Sequence, residues 1–369
     1  MLNYKRNMLI GGAIPRIMMA ILLMMVLLAL PALAKEYEES FSFSGDELKI
    51  ANMIGKVDVR SGSGDQIRVT VLVRGDDAEP GLIEFEADDG SHGELQIIFP
   101  TSEHKKYVYP ELGSSSKTTI HFKNGDHESS WLRKVFGMGD KITVRGKGSG
   151  LEVWADVLVE VPEGRELKVK LGVGSIEAND VQADLVLDTN SGAIYAMGIT
   201  GDLLADTGSG HVKAHDINGE VHVDTGSGSV DIANCRSNSI LVDTGSGKVK
   251  GNHLICSSLN IDTGSGSVRA HNVEADEAKI DTGSGSVSFQ LNRMGTGRFV
   301  VDTGSGSIEL DLPEDASAEI YADTGSGSMN NHLQGAIVKN KERREMTLLI
   351  GDAEARVTLD AGSGSITVR

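Results

Sequence analysis

The sequence predicts an all-β chain wound as a single-stranded β-solenoid, similar to a parallel β-helix, with about 18–21 residues per coil. Three observations carry this reading. The pentapeptide Asp-Thr-Gly-Ser-Gly recurs at short, nearly constant intervals. Apolar residues keep one register to it. The composition, 45 Gly and only 16 aromatics among 369 residues, suits turns and short strands better than a large aromatic core.

The pentapeptide starts at Asp206, Asp224, Asp243, Asp262, Asp281, Asp302 and Asp323, with variants at Asp188 and Asp360. Successive spacings run 18, 18, 19, 19, 19, 21, 21 and 37 residues. That period is too short for propeller blades or helical pairs. Within the Asp206 coil the apolar positions are Val212, Ala214, Ile217, Val221 and Val223, and the Asp188 coil repeats them as Ile194, Ala196, Ile199, Leu203 and Ala205. Alternation with period two describes short strands with one face inward, and Gly-Ser-Gly in each repeat would break a helix. No coil buries its apolar row alone, so coils must stack about 4.8 Å apart.

Weaker copies extend the array. Lys170 to Leu187 keeps the register without the Asp, and IANMIGKVDV with Ile67 and Val69 repeats the phrase near the start. The 37-residue gap predicts a hidden coil from Glu342, with Leu348, Ile350, Ala353, Val357 and Leu359 inward, stacked on the Asp360 coil. His104 to Arg145 does not fit. It concentrates Tyr107, Tyr109, Phe122, Trp131 and Phe136 with several Lys and Arg, and Ser129 or Ser130 caps an expected short helix closed by Gly137. The expected organisation is therefore a segment 1–34, an N-terminal β segment over 35–103, an aromatic and basic insertion over 104–150, and the repeat solenoid over 151–369.

Segment 1–34 carries Lys5, Arg6 and Arg16 before an apolar run and Ala32-Leu33-Ala34, the pattern of a secretory signal peptide. An uncleaved anchor is the competing reading, since residues 17–34 just reach the length of a bilayer span. The chain is then exported, to the periplasm, cell surface or medium, and touches membrane only through this segment. Formal charge is −18, and −21 without the first 34 residues, opposite to what a nucleic-acid binder needs. Two cysteines, Cys235 and Cys256, exclude a disulfide framework and leave room for a single bridge between them.

The segments LKIANMIGKVDVRSGSGDQIRV, VWADVLVEVPEGRELKVKLGVGSI, the repeated DTGSGSV and the closing VTLDAGSGSITVR resemble a bacterial family of adhesin-type domains of unknown function with degenerate DTGSGSI repeats. The resemblance spans roughly Phe41 to Arg369 outside the insertion. It implies an exported, non-enzymatic envelope or surface protein that binds a protein or a glycan.

Hydrophobic-Asp-Thr-Gly-Ser also resembles the catalytic loop of aspartic proteases, but that chemistry needs two loops facing each other, and here they stack on one side. Carboxylates one coil apart repel. Turn N–H groups bonded to Asp and Ser side chains would offset this, and calcium held by Asp206, Asp224, Asp243, Asp262, Asp281, Asp302 and Asp323 is the alternative; no other cofactor is implied. His215, His253, His271 and His332 gather near one turn column, better explained as polar turn residues than as zinc ligands. Tyr107, Tyr109, Trp131 and Phe136 are the candidate partner contacts, unless they cap the solenoid end. A polysaccharide-active β-helix enzyme is the other functional class, disfavoured by the uniform short turns and by a net charge that repels acidic polymers. A calcium-binding secreted repeat protein is the third.

Overall fold

The structure, a computed structural model, describes residues 36–121, 135–136 and 141–369. The signal or anchor segment 1–34, the expected helix cap at Ser129 or Ser130, Phe122, Trp131 and Gly137 lie outside the described residues. Lys35–Arg369 form one compact unit.

That unit is a β-solenoid. In each central coil a strand ends in Asp-Thr, the chain turns at Gly-Ser-Gly, and a second strand leads to the next Asp-Thr. Val221–Thr225 is followed in this way by Val230–Thr244, then Val249–Thr263 and Val268–Thr282. Neighbouring coils pair in parallel and residue for residue, so Asp224, Asp243, Asp262 and Asp281 form one row. The alternation read from the sequence is the inside–outside alternation of these strands: Val230, Ile232, Cys235, Ile240 and Val242 are all buried. The coil bends at a residue in the left-handed region, occupied by Asp180, Asp216, Asn234, His253 and Asn272. Asx side chains tolerate that geometry and bond locally; Asn234 donates from Nδ2 to Asp216 Oδ1 of the coil before, at 3.0 Å.

The Gly-Ser-Gly turn is fixed by contact between backbones. A Cβ added to Gly247 would lie 1.6 Å from the carbonyl oxygen of Gly228, and one added to Gly266 would lie 1.5 Å from that of Gly247. Only glycine leaves room for one coil to rest on the next. The threonine of the pentapeptide, fully buried in every described copy from Thr189 to Thr324, ties this contact together. Thr263 Oγ1 accepts from the Gly266 N–H at 3.0 Å and donates to the Gly247 carbonyl of the preceding coil at 3.1 Å. Thr244, Thr282 and Thr303 repeat the pattern. This corrects the expectation for Asp, whose side chain points outward: the inward Thr hydroxyl reaches both coils, and in the later coils Ser286 and Ser307 Oγ each also accept a backbone N–H of the next coil.

The N-terminal end departs from the repeat. Glu47–Ile54 and Val57–Ser61 form the first coil, against Glu166–Val173 and Ile176–Asn179. Ile67 and Val69, expected in a further coil, instead lie in Ile67–Arg74, antiparallel to both Tyr37–Phe43 and Trp154–Val161. Beyond Glu47–Ile54 come His92–Ile98 and then antiparallel Glu84–Asp88. Phe41 meets Phe85 across this end, ring centroids 5.6 Å apart. Part of the insertion is a three-stranded sheet, Lys106–Val108, Lys141–Arg145 and Lys117–His121. Ile120 and Phe136 from this region are buried, and a Cβ added to Gly172 would meet both within 3.1 Å.

The C-terminal end contains the main topological correction. The Asp360 coil does not follow the Asp323 coil in space. Its strands Ala355–Ala361 and Ile366–Val368 are inserted between the Asp302 and Asp323 coils, pairing in parallel with both. The predicted hidden coil does not exist as a coil. Glu345–Ile350 runs antiparallel to Ala318–Thr324, and Ile337–Lys341 runs antiparallel to Glu345–Ile350. The charged NKERRE turn and the positive-φ pair Gly351 and Ala353 reverse the chain twice, turning a would-be coil into a hairpin over the stack. Leu348 is buried as expected, Ile350 and Ala353 are half-buried, and Val357 and Leu359 belong to the inserted coil.

At the inserted coil the threonine position is Ala361, so no hydroxyl bridges Gly306 and Gly364. Thr263→Val should lower stability by about 1–3 kcal/mol, because it strands a buried N–H and carbonyl, whereas Ala361→Thr should raise it by about 1 kcal/mol. Chemical denaturation of the two variants checks both signs.

Candidate functional site

Two outer faces of the solenoid carry chemistry. The first bears the Asp row, now seen to run Asp188, Asp206, Asp224, Asp243, Asp262, Asp281, Asp302, Asp360 and Asp323 in register. Lys170 heads the row and pairs with Asp188. Burial and then the like charges of Asp281 and Asp243 push the Asp262 carboxyl up, and burial with Asp188 and Asp224 does the same to Asp206. Asp302 is raised by burial, then by Asp281 and Asp360, its two neighbours in space. The repulsion inferred from the sequence is therefore present. Calcium takes six or more oxygens, and among the described residues no three His, Cys, Asp or Glu side chains are grouped to hold a metal ion.

A second acidic row lies four residues earlier along the same strands, and it is structural. Asp184 Oδ1 accepts the Asp202 N–H, and Asp202 Oδ1 accepts the Glu220 N–H, each at 2.8 Å, fastening successive corners. Between the rows runs a groove of about 420 Å³ floored by Val186, Leu204, His222 and Leu241. Further toward the N-terminal end, burial works against the Glu47 carboxylate. Hydrogen bonds from Lys168 at 2.8 Å and His92 at 2.5 Å, with Lys49 nearby, overcome it and hold Glu47 at about 2. This cluster buckles three strands together.

The second face lies across the Gly-Ser-Gly turn and has the opposite character. A groove of about 370 Å³ is lined by Lys248, Lys250 and Arg269 together with Ser267, Ser286, Ser288, Ser307 and Glu309. Lys250 and Arg269 are adjacent in the ladder, so their Cα atoms stand about 4.8 Å apart. The two flanking carboxylates are already engaged. Asp231, next to Lys250, bonds His215 Nε2 at 3.1 Å, and Glu309 pairs with Arg369 at 2.5 Å. Among the described residues none of the three cations has an ion-pair partner. Sequence reasoning missed this groove by treating charge as a single total. The signal was there: three cations at the outward positions beside the turns of two successive repeats, in an otherwise acidic chain.

Residues 45–369 match the Toastrack DUF4097 family. The chain belongs to that family. No curated protein matches it. Two solved structures are similar at low identity. One is described as a putative cell adhesion protein from Clostridium sporogenes, 14% identical, covering 90% of this chain and 98% of its own, with a TM-score of 0.22. The other is described as a putative lipid binding protein from Parabacteroides distasonis, 10% identical, covering 90% and 96%, with a TM-score of 0.35. Neither likeness bears on what this Toastrack chain does.

The aromatic residues expected to meet a partner are instead core residues of this Toastrack fold. Tyr107, Tyr109 and Phe136 are at most 2% exposed. Tyr107 meets Phe99 edge-on at 5.9 Å, Tyr109 packs on Trp154 at 5.8 Å, and burial pushes both phenols well above their ordinary range. The rings pack against Phe99, Trp154 and the outward side of Gly172, on the flank of the first coils; Trp131 lies outside the described residues. The histidines also disperse: His253 sits at a left-handed corner, while His271 Nε2 bonds Ser288 Oγ at 2.8 Å. Cys235 and Cys256 are free and buried. They are offset by two residues across neighbouring coils, and burial raises their thiols to about 11 and about 12.

The raised Asp262 carboxyl gives a pH signature. A group whose folded value exceeds its unfolded value stabilises the fold below the ordinary carboxylate range, and that contribution is lost as pH rises through the folded value. Asp262→Asn should therefore melt at a higher temperature than the wild type at pH 7, with the difference shrinking as pH falls toward 4. Thermal scans across that interval check it, and a difference constant with pH would contradict it.

Proposed function

We propose that this Toastrack chain is an exported, non-enzymatic scaffold that binds a glycan bearing carboxylate or sulfate groups along the groove of Lys248, Lys250 and Arg269. The observation that carries the reading is that these cations stand in one groove with their neighbouring carboxylates already bonded elsewhere. Serine hydroxyls from successive coils offer a hydrogen-bonding row beside the charges, as a chain of sugar hydroxyls requires. The groove is open and contains no aromatic ring on which a base could stack, which favours a sugar strand over a nucleic acid. Elsewhere the acidic surface repels polyanions, so only a ligand aligned with this groove gains.

Export rests on the basic and apolar character of segment 1–34 with its Ala-x-Ala end. The enzyme alternative loses support from the structural use of the second acidic row, where Asp184 and Asp202 are tied to backbone N–H groups instead of facing a cleft.

Isothermal titration with polygalacturonate, and with neutral dextran as control, tests the reading. Binding should be confined to the charged polymer, weaken as salt rises past roughly 0.1 M, and fall at least tenfold in Lys250→Ala/Arg269→Ala with melting unchanged. Equal binding of dextran, or an unaltered affinity in the double variant, would overturn it. Release of reducing ends from the polymer would reinstate the enzyme.

A further inference from the structure

Among the described residues the sheet that carries the Asp row has two unpaired edge strands, and they are unlike. At the N-terminal end the outermost strand is Glu84–Asp88, sequence EFEAD, with Glu84, Ala87 and Asp88 exposed and Asp89 following. It contains three carboxylates and no cation. At the other end the outermost strand is Ile337–Lys341, every residue of which is exposed. It continues into Glu342, Arg343 and Arg344, so residues 337–344 hold four cations and one carboxylate in a chain of net charge −18. Lys339 pairs with Glu319 within its own copy; Lys341, Arg343 and Arg344 have no ion-pair partner among the described residues.

The apolar layer also behaves differently at the two ends. Phe85 stands opposite the buried Ile97 and closes its end against Phe41. Val338 stands opposite the buried Leu348, so it prolongs the inner layer by one strand, yet it is 50% exposed, and its neighbour Ile337 is 64% exposed. These are the most exposed large apolar residues in the structure among those described.

We infer that a second copy of this chain occupies the Ile337–Lys341 edge, presenting its Glu84–Asp88 edge, so that molecules join end to end with their sheets continuous. Unpaired strand edges are templates for added strands, and natural proteins place charge on them to prevent association. Here charge of one sign at each edge forbids joining like ends and favours joining unlike ones. The contact is heterologous, using different surfaces on each partner, and with the edges at opposite ends of one sheet it propagates into a linear chain. It covers Val338 and Ile337 and brings the cationic edge of residues 339–344 alongside the acidic Glu84–Asp88 edge.

Sedimentation velocity of the wild-type protein over a concentration series at low salt tests this. Oligomers longer than dimers should grow with concentration and dissociate as salt is raised. Arg343→Glu/Arg344→Glu and, separately, Glu84→Lys/Asp88→Lys should each remain monomeric at concentrations where the wild type assembles, at least tenfold weaker in association, with circular dichroism and melting unchanged. Mixing the two variants should restore assembly, because each then offers the other a complementary end. A wild type that stays monomeric throughout, a discrete dimer, or variants that assemble like the wild type would overturn the inference. Assembly of both variants alone but not of Val338→Lys would also overturn the charge-directed mechanism, leaving an apolar contact only.

Discussion

The fold depends on one close approach of backbone to backbone. At the second glycine of each pentapeptide the carbonyl of one coil occupies the space where the next coil would carry a Cβ. That contact sets the distance between coils at the turn, and the Thr hydroxyl bridges the two layers where the chain bends away from the regular ladder. With the turn fixed, side chains before and after it fall into register, because a strand of period two has no freedom once one residue is pinned. The repeated Gly and Thr therefore organise the core although neither contributes much apolar surface to it.

The same register produces the electrostatics. A residue type repeated at one outward position becomes a row at one-coil spacing, whether or not the charges favour each other. The Asp row accepts that cost, visible in the raised carboxyls of Asp206, Asp262 and Asp302. Lys170 relieves it only at one end. On the face across the turn, variation between repeats breaks the monotony: Asp231, Lys250, Arg269, Ser288 and Glu309 succeed one another at one position. Such variation is where a repeat protein acquires a local site without disturbing its core, since outward positions have no packing duty.

Much of this was legible in the sequence. The period, the inward residues and the parallel stacking followed from the pentapeptide and the alternation flanking it, because both express the geometry of a single coil. What the sequence withheld concerns the ends and the partners of a row. The hairpin over 337–350 and the strand Ile67–Arg74 contain apolar residues at suitable spacings, but spacing does not distinguish a parallel coil strand from an antiparallel cap. Clustered Tyr107, Tyr109 and Phe136 look alike in sequence whether they project toward a partner or pack into the core. The pentapeptide itself misled about its chemistry: Asp is its most conspicuous residue, yet the hydroxyl of the adjacent Thr makes the bonds. The cationic groove was hidden by a net charge summed over faces that never see each other.

The insertion of the Asp360 coil between the Asp302 and Asp323 coils has a consequence for how the molecule is made. Most of the stack can grow in the order of synthesis, each new coil landing on the one before it. The Asp323 coil cannot, because its seat, Ala355–Ala361 and Ile366–Val368, follows it in the sequence. Until Ala355–Ala361 and Ile366–Val368 arrive, Ala318–Thr324 has its hairpin partner but no parallel strand linking it to the stack. Residues 355–368 thus serve as a keystone: losing them would not shorten the solenoid by one step but would take away the seat on which the Asp323 coil and its hairpin rest.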